Sequence, residues 1–427
     1  METLTQVAQA LQYVLTDVAD RLGRETGFIQ RKRKLTGARF VQALVFGWLA
    51  QANSSMEGLS QSAANVGVDI SRQGIEDRFN AVAAAFLKRM VEACVECVLR
   101  ANQRSLSVLQ QFNGVYLEDS TVIRLPDALS QLWAGCQHSA LKLSVRWELQ
   151  RGGLEALHLH AGREHDQQAP LHTAPVPAGG LQLRDLGYFD LEVMQAQAAQ
   201  GSYWLMRYKM GTSLFDASGK RLSVSALLKQ AVGGRIDCAI QLGQQQRLSG
   251  RLVAETVDDQ TLRQRQQRLR QWERKHQSKA SAEKWQWLGW SLYVTNLPQA
   301  CLSTEQVLDV AHLRWQIELL FKLWKSELQV DEWRSQNPWR ILCEVYAKLI
   351  AVMVQHWLML LGDGHDLQRS LVQMSRTIQK KAWHLAAVLS DGEALCKALL
   401  DLQRCFLKGC RISFSASSPP TFQRFVP

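Results

Sequence analysis

The sequence predicts an α/β (α+β) protein, in which helical regions at both ends of the chain flank a mixed sheet. Residues 1–105 contain no proline and repeat apolar side chains at helical spacing. Between residues 112 and 210 the pattern changes to strand-like alternation, with helical segments and glycine- and proline-rich loops between the strands. After residue 300, long apolar stretches with helical periodicity return. Strands that alternate with helices between two helical ends favour this fold class.

Composition and charge restrict the possible partners. The chain has 427 residues, 46% of them hydrophobic, which is enough for two or three domains with well-formed cores. Its formal net charge of +11 indicates an anionic partner, either nucleic acid or a membrane surface. We expect no membrane, because neither a run of about 18 apolar residues nor a signal-peptide core is apparent. Nine scattered cysteines indicate reduced thiols in the cytoplasm.

A helix-turn-helix pattern occurs in the N-terminal region. Residues 59–79 predict a helix, a glycine-containing turn and a second helix capped by Ser71. Arg72 and Arg78 are then available to a DNA groove or backbone. Ordinary helical hairpins produce the same pattern. The basic cluster Arg31–Lys34 fits phosphate binding or a solvated turn equally well.

Three acids from separate elements are candidate catalytic residues. Asp119 ends a predicted strand, Asp185 ends a later one, and Glu318 lies on the predicted helix 312–325. Carboxylates without neighbouring histidine or cysteine suit Mg²⁺ or Mn²⁺. Two such ions about 4 Å apart would activate a water or a 3′-hydroxyl and stabilise the leaving oxygen during attack at phosphorus.

Three basic side chains lie close to Glu318 in the sequence. Arg314, Lys322 and Lys325 share the helix face of Glu318 at spacings of four and seven residues, which predicts a phosphate clamp. Taken alone, the stretch is equally well explained as a surface helix with ordinary charge pairs. A long basic helix predicted at 259–284 also carries arginines, distributed around its axis. They fit either a solvated face or phosphate contacts.

These residues resemble bacterial insertion-sequence transposases of the DDE type, in the insertion-sequence-four family, whose last acid lies in a Y-x2-R-x3-E-x6-K signature. Arg314, Glu318 and Lys325 match this signature, whereas Ala311 stands at the tyrosine position. The segments Asp119-Ser120-Thr121 and Asp185-Leu186-Gly187-Tyr188 match the first two aspartates of the family. The resemblance covers nearly the whole chain, including a β-rich insertion between the second aspartate and the glutamate.

The resemblance implies an RNase H-like catalytic core with a β-rich insertion. The implied domains are a helical DNA-binding domain at 1–105, the first part of the core at 106–210, the inserted β-rich subdomain with its basic helix at 211–286, the second part of the core at 287–360, and a C-terminal helical region and tail at 361–427.

The resemblance also implies an activity and its partners. The expected enzyme is an Mg²⁺- or Mn²⁺-dependent two-metal endonuclease and strand transferase, with Asp119, Asp185 and Glu318 as catalytic residues and metal ligands. The expected partners are double-stranded DNA, as terminal inverted repeats and target, and a second copy of the chain in a synaptic homodimer. The expected location is the bacterial cytoplasm, with nucleoid association when bound to DNA.

Two further DNA contacts are implied by the resemblance. Arg207 is placed like a family arginine that contacts DNA. Trp290 is the first candidate to stack on a flipped base, and Trp287 is the second. A structural ion pair and a core tryptophan are the alternatives. The alternative function is a transposase-derived DNA-binding protein without cleavage, although the retained acids and cations favour an active enzyme. The basic charge disfavours a carboxylate-pair glycoside hydrolase.

Overall fold

The structure is a computed structural model that describes residues 2–31, 34–101, 107–362 and 369–412. The α-helices of these residues are α1 Glu2–Tyr13, α2 Ala19–Glu25, α3 Gly37–Ala50, α4 Met56–Asn65, α5 Arg72–Glu76, α6 Ala81–Glu96, α7 Pro170–Thr173, α8 Leu191–Ala199, α9 Val224–Gln230, α10 Asp259–His276, α11 Ala282–Trp287, α12 Thr304–His312, α13 Trp315–Glu327, α14 Pro338–Met359, α15 Leu371–Val388 and α16 Gly392–Gly409. The strands are β1 Val115–Arg124, β2 Ala140–Glu148, β3 Leu154–Ala161, β4 Leu181–Arg184, β5 Tyr203–Arg207, β6 Leu214–Phe215, β7 Arg221–Leu222, β8 Arg235–Leu242, β9 Leu248–Thr256 and β10 Trp290–Thr295.

The strands form a mixed sheet in the order β3-β2-β1-β4-β5-β10-β9-β8-β6-β7. Strand β4 pairs in parallel with both β1 and β5, whereas β2 and β3 form an antiparallel hairpin. Strands β6 to β10 are joined by antiparallel pairs. The predicted α/β class is therefore confirmed, and the parallel strands β1, β4 and β5 with the β2–β3 hairpin form the RNase H-like core.

The chain divides into two compact units. The first comprises the described residues up to 101, together with 120–165, 316–362 and 369–412, and the second comprises 107–119 and 166–315. Strand β1 contributes residues to both units. The five-part division expected from the sequence remains a prediction.

Helix α14 forms the centre of the first unit. Nearly every residue from Ile341 to Met359 is buried, and Arg340 at its start forms an ion pair with Glu76 at 2.8 Å. Residues 338–362 are long and apolar enough to span a membrane, so the expectation that no such run occurs is wrong. The apolar window is completely buried inside the protein, as in the core helix of a globular unit.

The second unit has its own apolar core between the inserted strands and the helices beside them. Its largest buried members include Trp204 of β5, Tyr188 and Phe189. Side chains from β5, β8, β9 and β10 alternate into this core, and these strands belong to the same sheet as the strands that carry the two aspartates.

Two predicted helices are interrupted. The helix predicted at 312–325 is broken at Leu313 and Arg314, so that α12 ends at His312 and α13 begins at Trp315. The helix predicted at 259–284 ends at His276, because Gln277 adopts a left-handed conformation with φ 48°. A separate short helix then includes Trp285 and Trp287.

Candidate catalytic and DNA-binding site

Asp119 and Asp185 occupy equivalent positions on neighbouring parallel strands. The pairing of β1 with β4 runs from Val115 opposite Leu181 to Glu118 opposite Arg184, so the next residue of each strand is an aspartate. Parallel strands lie about 4.8 Å apart. Asp185 follows the end of β4 as predicted, whereas Asp119 lies within β1, which continues to Arg124, and not at the end of a strand. The strand continues because β2 lies on its other side in the sheet order.

A buried ion pair directly precedes the two aspartates. Glu118 is 0% exposed and accepts hydrogen bonds from Arg184 Nε and Gln182 Nε2, both at 2.6 Å. Arg184 is 3% exposed and also donates through Nη2 to the Leu171 carbonyl at 3.0 Å. The pair therefore links β1 to β4 one residue before the aspartates, on the opposite face because side chains alternate along a strand.

Sequence reasoning missed this buried pair. The signal was present as two dipeptides, Glu118-Asp119 and Arg184-Asp185, in which opposite charges precede the two aspartates. Only the parallel register shows that Glu118 and Arg184 lie opposite each other on neighbouring strands.

Arg314 provides positive charge to the first aspartate. It lies in the turn between α12 and α13, and its Nη1 atom is 3.5 Å from Asp119 Oδ2. Both side chains are mostly buried. The guanidinium reduces the electrostatic repulsion that two neighbouring carboxylates would otherwise experience. The break in the helix separates Arg314 from the regular face that carries Glu318, so the predicted four-residue helical spacing between these two residues is wrong.

A cationic cleft adjoins this arginine in the second unit. It is lined by Arg207, His312 and Arg314, together with Ala311 at the position of the signature tyrosine. Arg207 is exposed at the end of β5, opposite Tyr293 of β10. The small side chain at position 311 therefore lines an open, positively charged space.

The remaining signature residues belong to α13 in the first unit. Glu318 is partly buried and Lys322 is exposed. Lys325 donates from Nζ to the carbonyl oxygen of Val122 at 3.1 Å and lies 3.8 Å from Asp331. Lys325 thus contacts β1 three residues after Asp119 in the sequence.

The predicted helix-turn-helix segment forms two short helices. Helix α4 ends at a turn in which Gly67 has φ 77°, and Ser71 caps α5 by accepting a hydrogen bond from the Gly74 amide. The second helix has only five residues, fewer than the sequence pattern suggested. Arg72 is exposed at its start. Arg78 donates a hydrogen bond to the Gly74 carbonyl and is partly buried.

The two candidate stacking tryptophans pack against the core of the second unit. Trp290 begins β10, and its carbonyl accepts a hydrogen bond from Arg265 at 2.7 Å. Trp287 donates from Nε1 to Ser225 Oγ at 3.1 Å and lies 5.6 Å from the ring of Tyr208. Both indoles are only partly exposed.

The donor chemistry of Asp119 and Asp185 fits a hard divalent cation, because both offer carboxylate oxygens on adjacent strands. Within residues 2–31, 34–101, 107–362 and 369–412, no three His, Cys, Asp or Glu side chains are already grouped to hold a metal ion. Glu318 belongs to the other unit of the chain.

Neighbouring acids on an RNase H-like sheet, with arginines beside them, define the class of nucleic-acid-processing enzymes that act at phosphodiester bonds. Residues 110–354, more than half of the chain, match the family model described as the transposase DDE domain. The chain therefore belongs to the DDE transposase family.

Curated relatives support the same assignment. The chain is 29% identical over 385 residues to the transposase for insertion sequence element IS231F of Bacillus thuringiensis subsp. israelensis, covering 83% of this chain and 80% of the relative. It is 27% identical over 381 residues to the IS231D transposase of B. thuringiensis subsp. finitimus, covering 83% and 79%. The IS1151 transposase of Clostridium perfringens is 23% identical over 368 residues, covering 78% and 76%.

Proposed function

We propose that this protein is an active DNA transposase, which cleaves DNA at the ends of its element and joins those ends to target DNA. Family membership supports the reaction class. The observation that carries the proposal is the parallel register that places Asp119 and Asp185 one residue beyond the same buried ion pair. This arrangement holds two carboxylates on adjacent strands, as two-metal phosphodiester chemistry requires.

The metal ligands in this proposal are Asp119, Asp185 and Glu318. A bound Mg²⁺ or Mn²⁺ pair would supply an activated oxygen nucleophile and stabilise the leaving oxygen. Arg314 holds Asp119 at 3.5 Å and, with Arg207 and Lys322, offers guanidinium and ammonium donors to backbone phosphates.

The remaining DNA contacts are assigned by position. Lys325 positions α13 on β1 through the Val122 carbonyl and adds positive charge near the DNA. Arg72 and Arg78 of the N-terminal helices bind the element ends. The indole of Trp290 moves away from the core of the second unit and stacks on a flipped base. The enzyme acts in the bacterial cytoplasm as a synaptic homodimer bound to the nucleoid.

The proposal is tested with purified protein, Mg²⁺ and a supercoiled plasmid that carries the element. Wild-type protein should release the element, whereas Glu318→Gln should abolish release and leave binding to end DNA unchanged, because it removes a metal ligand but no phosphate contact. Release is measured by gel electrophoresis and binding by fluorescence anisotropy.

The matched control is Glu327→Gln on the same helix, since Glu327 pairs with Arg376 at 3.0 Å. This variant should release the element normally. A wild-type protein that binds element ends but never nicks them with Mg²⁺ or Mn²⁺ would show that the enzymatic proposal is wrong.

A further inference from the structure

Helix α10 of the inserted region is strongly basic, and its inner face is defined by structural contacts. Leu269 is buried, and Arg265 donates to the carbonyls of Leu288 and Trp290 at 3.2 and 2.7 Å and to Ser291 Oγ at 3.1 Å. Arg265 is therefore used to attach α10 to β10 and the loop before it, and it is not available for a ligand.

The acid in the last turns of α10 is also engaged within the protein. Glu273 accepts hydrogen bonds from the Ala280 amide at 2.7 Å and from Trp285 Nε1 at 3.3 Å. These bonds fix the turn that follows the helix. Within the described residues, the carboxylate of Glu273 forms no ion pair with an arginine of α10.

Three arginines form a stripe along one exposed side of α10, where Arg270 also lies 5.8 Å from the ring centre of Trp285. Arg263, Arg270 and Arg274, here called the arginine stripe, are separated by seven and four residues, so they return to one side of the helix. All three are exposed, and none forms an ion pair with an acid within the described residues. Asp259, in the first turn, is also exposed, and it forms no ion pair with Arg263 within the part of the chain that the structure describes.

Further basic side chains lie on the other sides of α10. Lys284 Nζ lies 4.4 Å from the ring centre of Trp272, which is 39% exposed, and the ring of His276 stacks on the same ring at 4.7 Å. Trp272 is nine residues after Arg263, so these two basic groups lie on the opposite side of α10 from the stripe. Arg207 also lies near the inner side of the helix, because its charge contributes, after burial, to lowering the pKa of Arg265. The cations repel one another, and a polyanion removes this repulsion.

We propose that the arginine stripe of α10 binds the phosphodiester backbone of duplex DNA outside the cleavage site. The stripe spans about 16 Å at 1.5 Å per residue, a length that passes roughly five base pairs of one DNA strand. Guanidinium groups bind phosphate oxygens through paired donors, and the absence of acidic partners matches a uniformly anionic ligand. This inference rests on the proposed function, which supplies duplex DNA as the partner.

The test measures the salt dependence of binding to a fluorescent 30-base-pair duplex of arbitrary sequence. The triple variant Arg263→Gln, Arg270→Gln and Arg274→Gln should reduce the slope of log affinity against log KCl concentration by about 2.7, since each lost phosphate contact contributes about 0.9. The corresponding triple lysine variant should retain most of the slope, because the charge is preserved.

The matched control removes the same charge from exposed positions of α15 and α16, as Lys380→Gln, Lys381→Gln and Lys397→Gln. Its slope should remain that of the wild type. Equal losses in both triple variants would show that net charge alone is responsible, and an unchanged slope in the arginine variant would show that the stripe faces another partner, such as an acidic protein. Either result overturns the inference.

A photo-crosslinking amino acid at Gln267 gives a positional check, because Gln267 is exposed and lies four residues after Arg263 on the same side. It should crosslink to the duplex, whereas the same group at Lys380 should not. Absence of a crosslink at Gln267 contradicts the inference. Failure of the proposed function is seen separately, as a lack of Mg²⁺-dependent nicking by protein whose salt slope still depends on the stripe.

Discussion

At the scale of single residues, the buried ion pair between Glu118 and Arg184 restricts the positions of Asp119 and Asp185. Glu118 and Arg184 are register partners, both almost completely buried, and joined at 2.6 Å. A buried charge that loses its partner is costly because water cannot replace it. The pair therefore favours one register of β1 against β4, which is the register that places Asp119 beside Asp185.

We predict that Glu118→Gln lowers the free energy of unfolding by about 3 kcal/mol, because Arg184 remains buried without a neutralising carboxylate. Urea denaturation followed by circular dichroism measures the change. The control is Asp401→Asn in the exposed pair with Arg404, which should change stability by less than about 0.5 kcal/mol. Equal effects of the two substitutions would show that the buried pair does not stabilise the strand register.

The residues that carry chemistry could largely be proposed from the sequence, whereas their partners could not. Asp119 and Asp185 were identified from acids that follow apolar strands. The Arg314–Asp119 ion pair could not be anticipated, because an uninterrupted helix was expected to place Arg314 beside Glu318. Ala311 was recognised as a departure from the signature, but only the structure shows the cleft that it lines.

At the scale of secondary-structure elements, long periodic segments were predicted well and interruptions were missed. The sequence indicated one basic helix over 259–284, yet the chain leaves the helix after His276. Gln277 adopts left-handed backbone angles that glycine usually occupies, so the sequence lacks the residue that normally marks such an end. Ser281 then caps the next helix by accepting from the Lys284 amide.

We predict that Gln277→Gly raises the free energy of unfolding by about 1 kcal/mol, because glycine adopts the left-handed conformation without the steric cost of a side chain. Thermal unfolding measured by calorimetry checks the sign. Gln271→Gly, at an exposed position inside the same helix, should lower stability by about 1 kcal/mol. Destabilisation by both substitutions would contradict the proposed helix end.

Helix α10 shows how a structural contact changes the meaning of a sequence pattern. Its arginines were expected to be spread around the axis, and two explanations were open. Because Arg265 packs against β10, four exposed arginines remain, of which Arg263, Arg270 and Arg274 share one side of the helix and Arg268 does not. Periodicity alone could not make this distinction, because it does not identify which arginine packs against β10.

At the scale of the whole molecule, the fold class was predictable because helical and strand-like periodicities occupy separate parts of the chain. The division into two compact units was not predictable, since residues distant in sequence form each unit. The apolar helix α14 also needed the structure, because composition does not distinguish a buried core helix from a membrane span. Net charge of +11 indicated the anionic partner but not where it binds.

The central claim is that Asp119, Asp185 and Glu318 bind the same metal centre, although they are far apart in sequence and belong to different units. Cleavage of the polypeptide by Fe²⁺ tests this claim directly, because hydroxyl radicals formed at a bound ion with ascorbate and peroxide cut the nearest backbone. Mass spectrometry of the fragments should reveal cuts clustered near residues 119, 185 and 318, all suppressed by excess Mg²⁺ and by Asp119→Asn. Cuts near only one of these residues, or at unrelated positions, would contradict the shared metal centre.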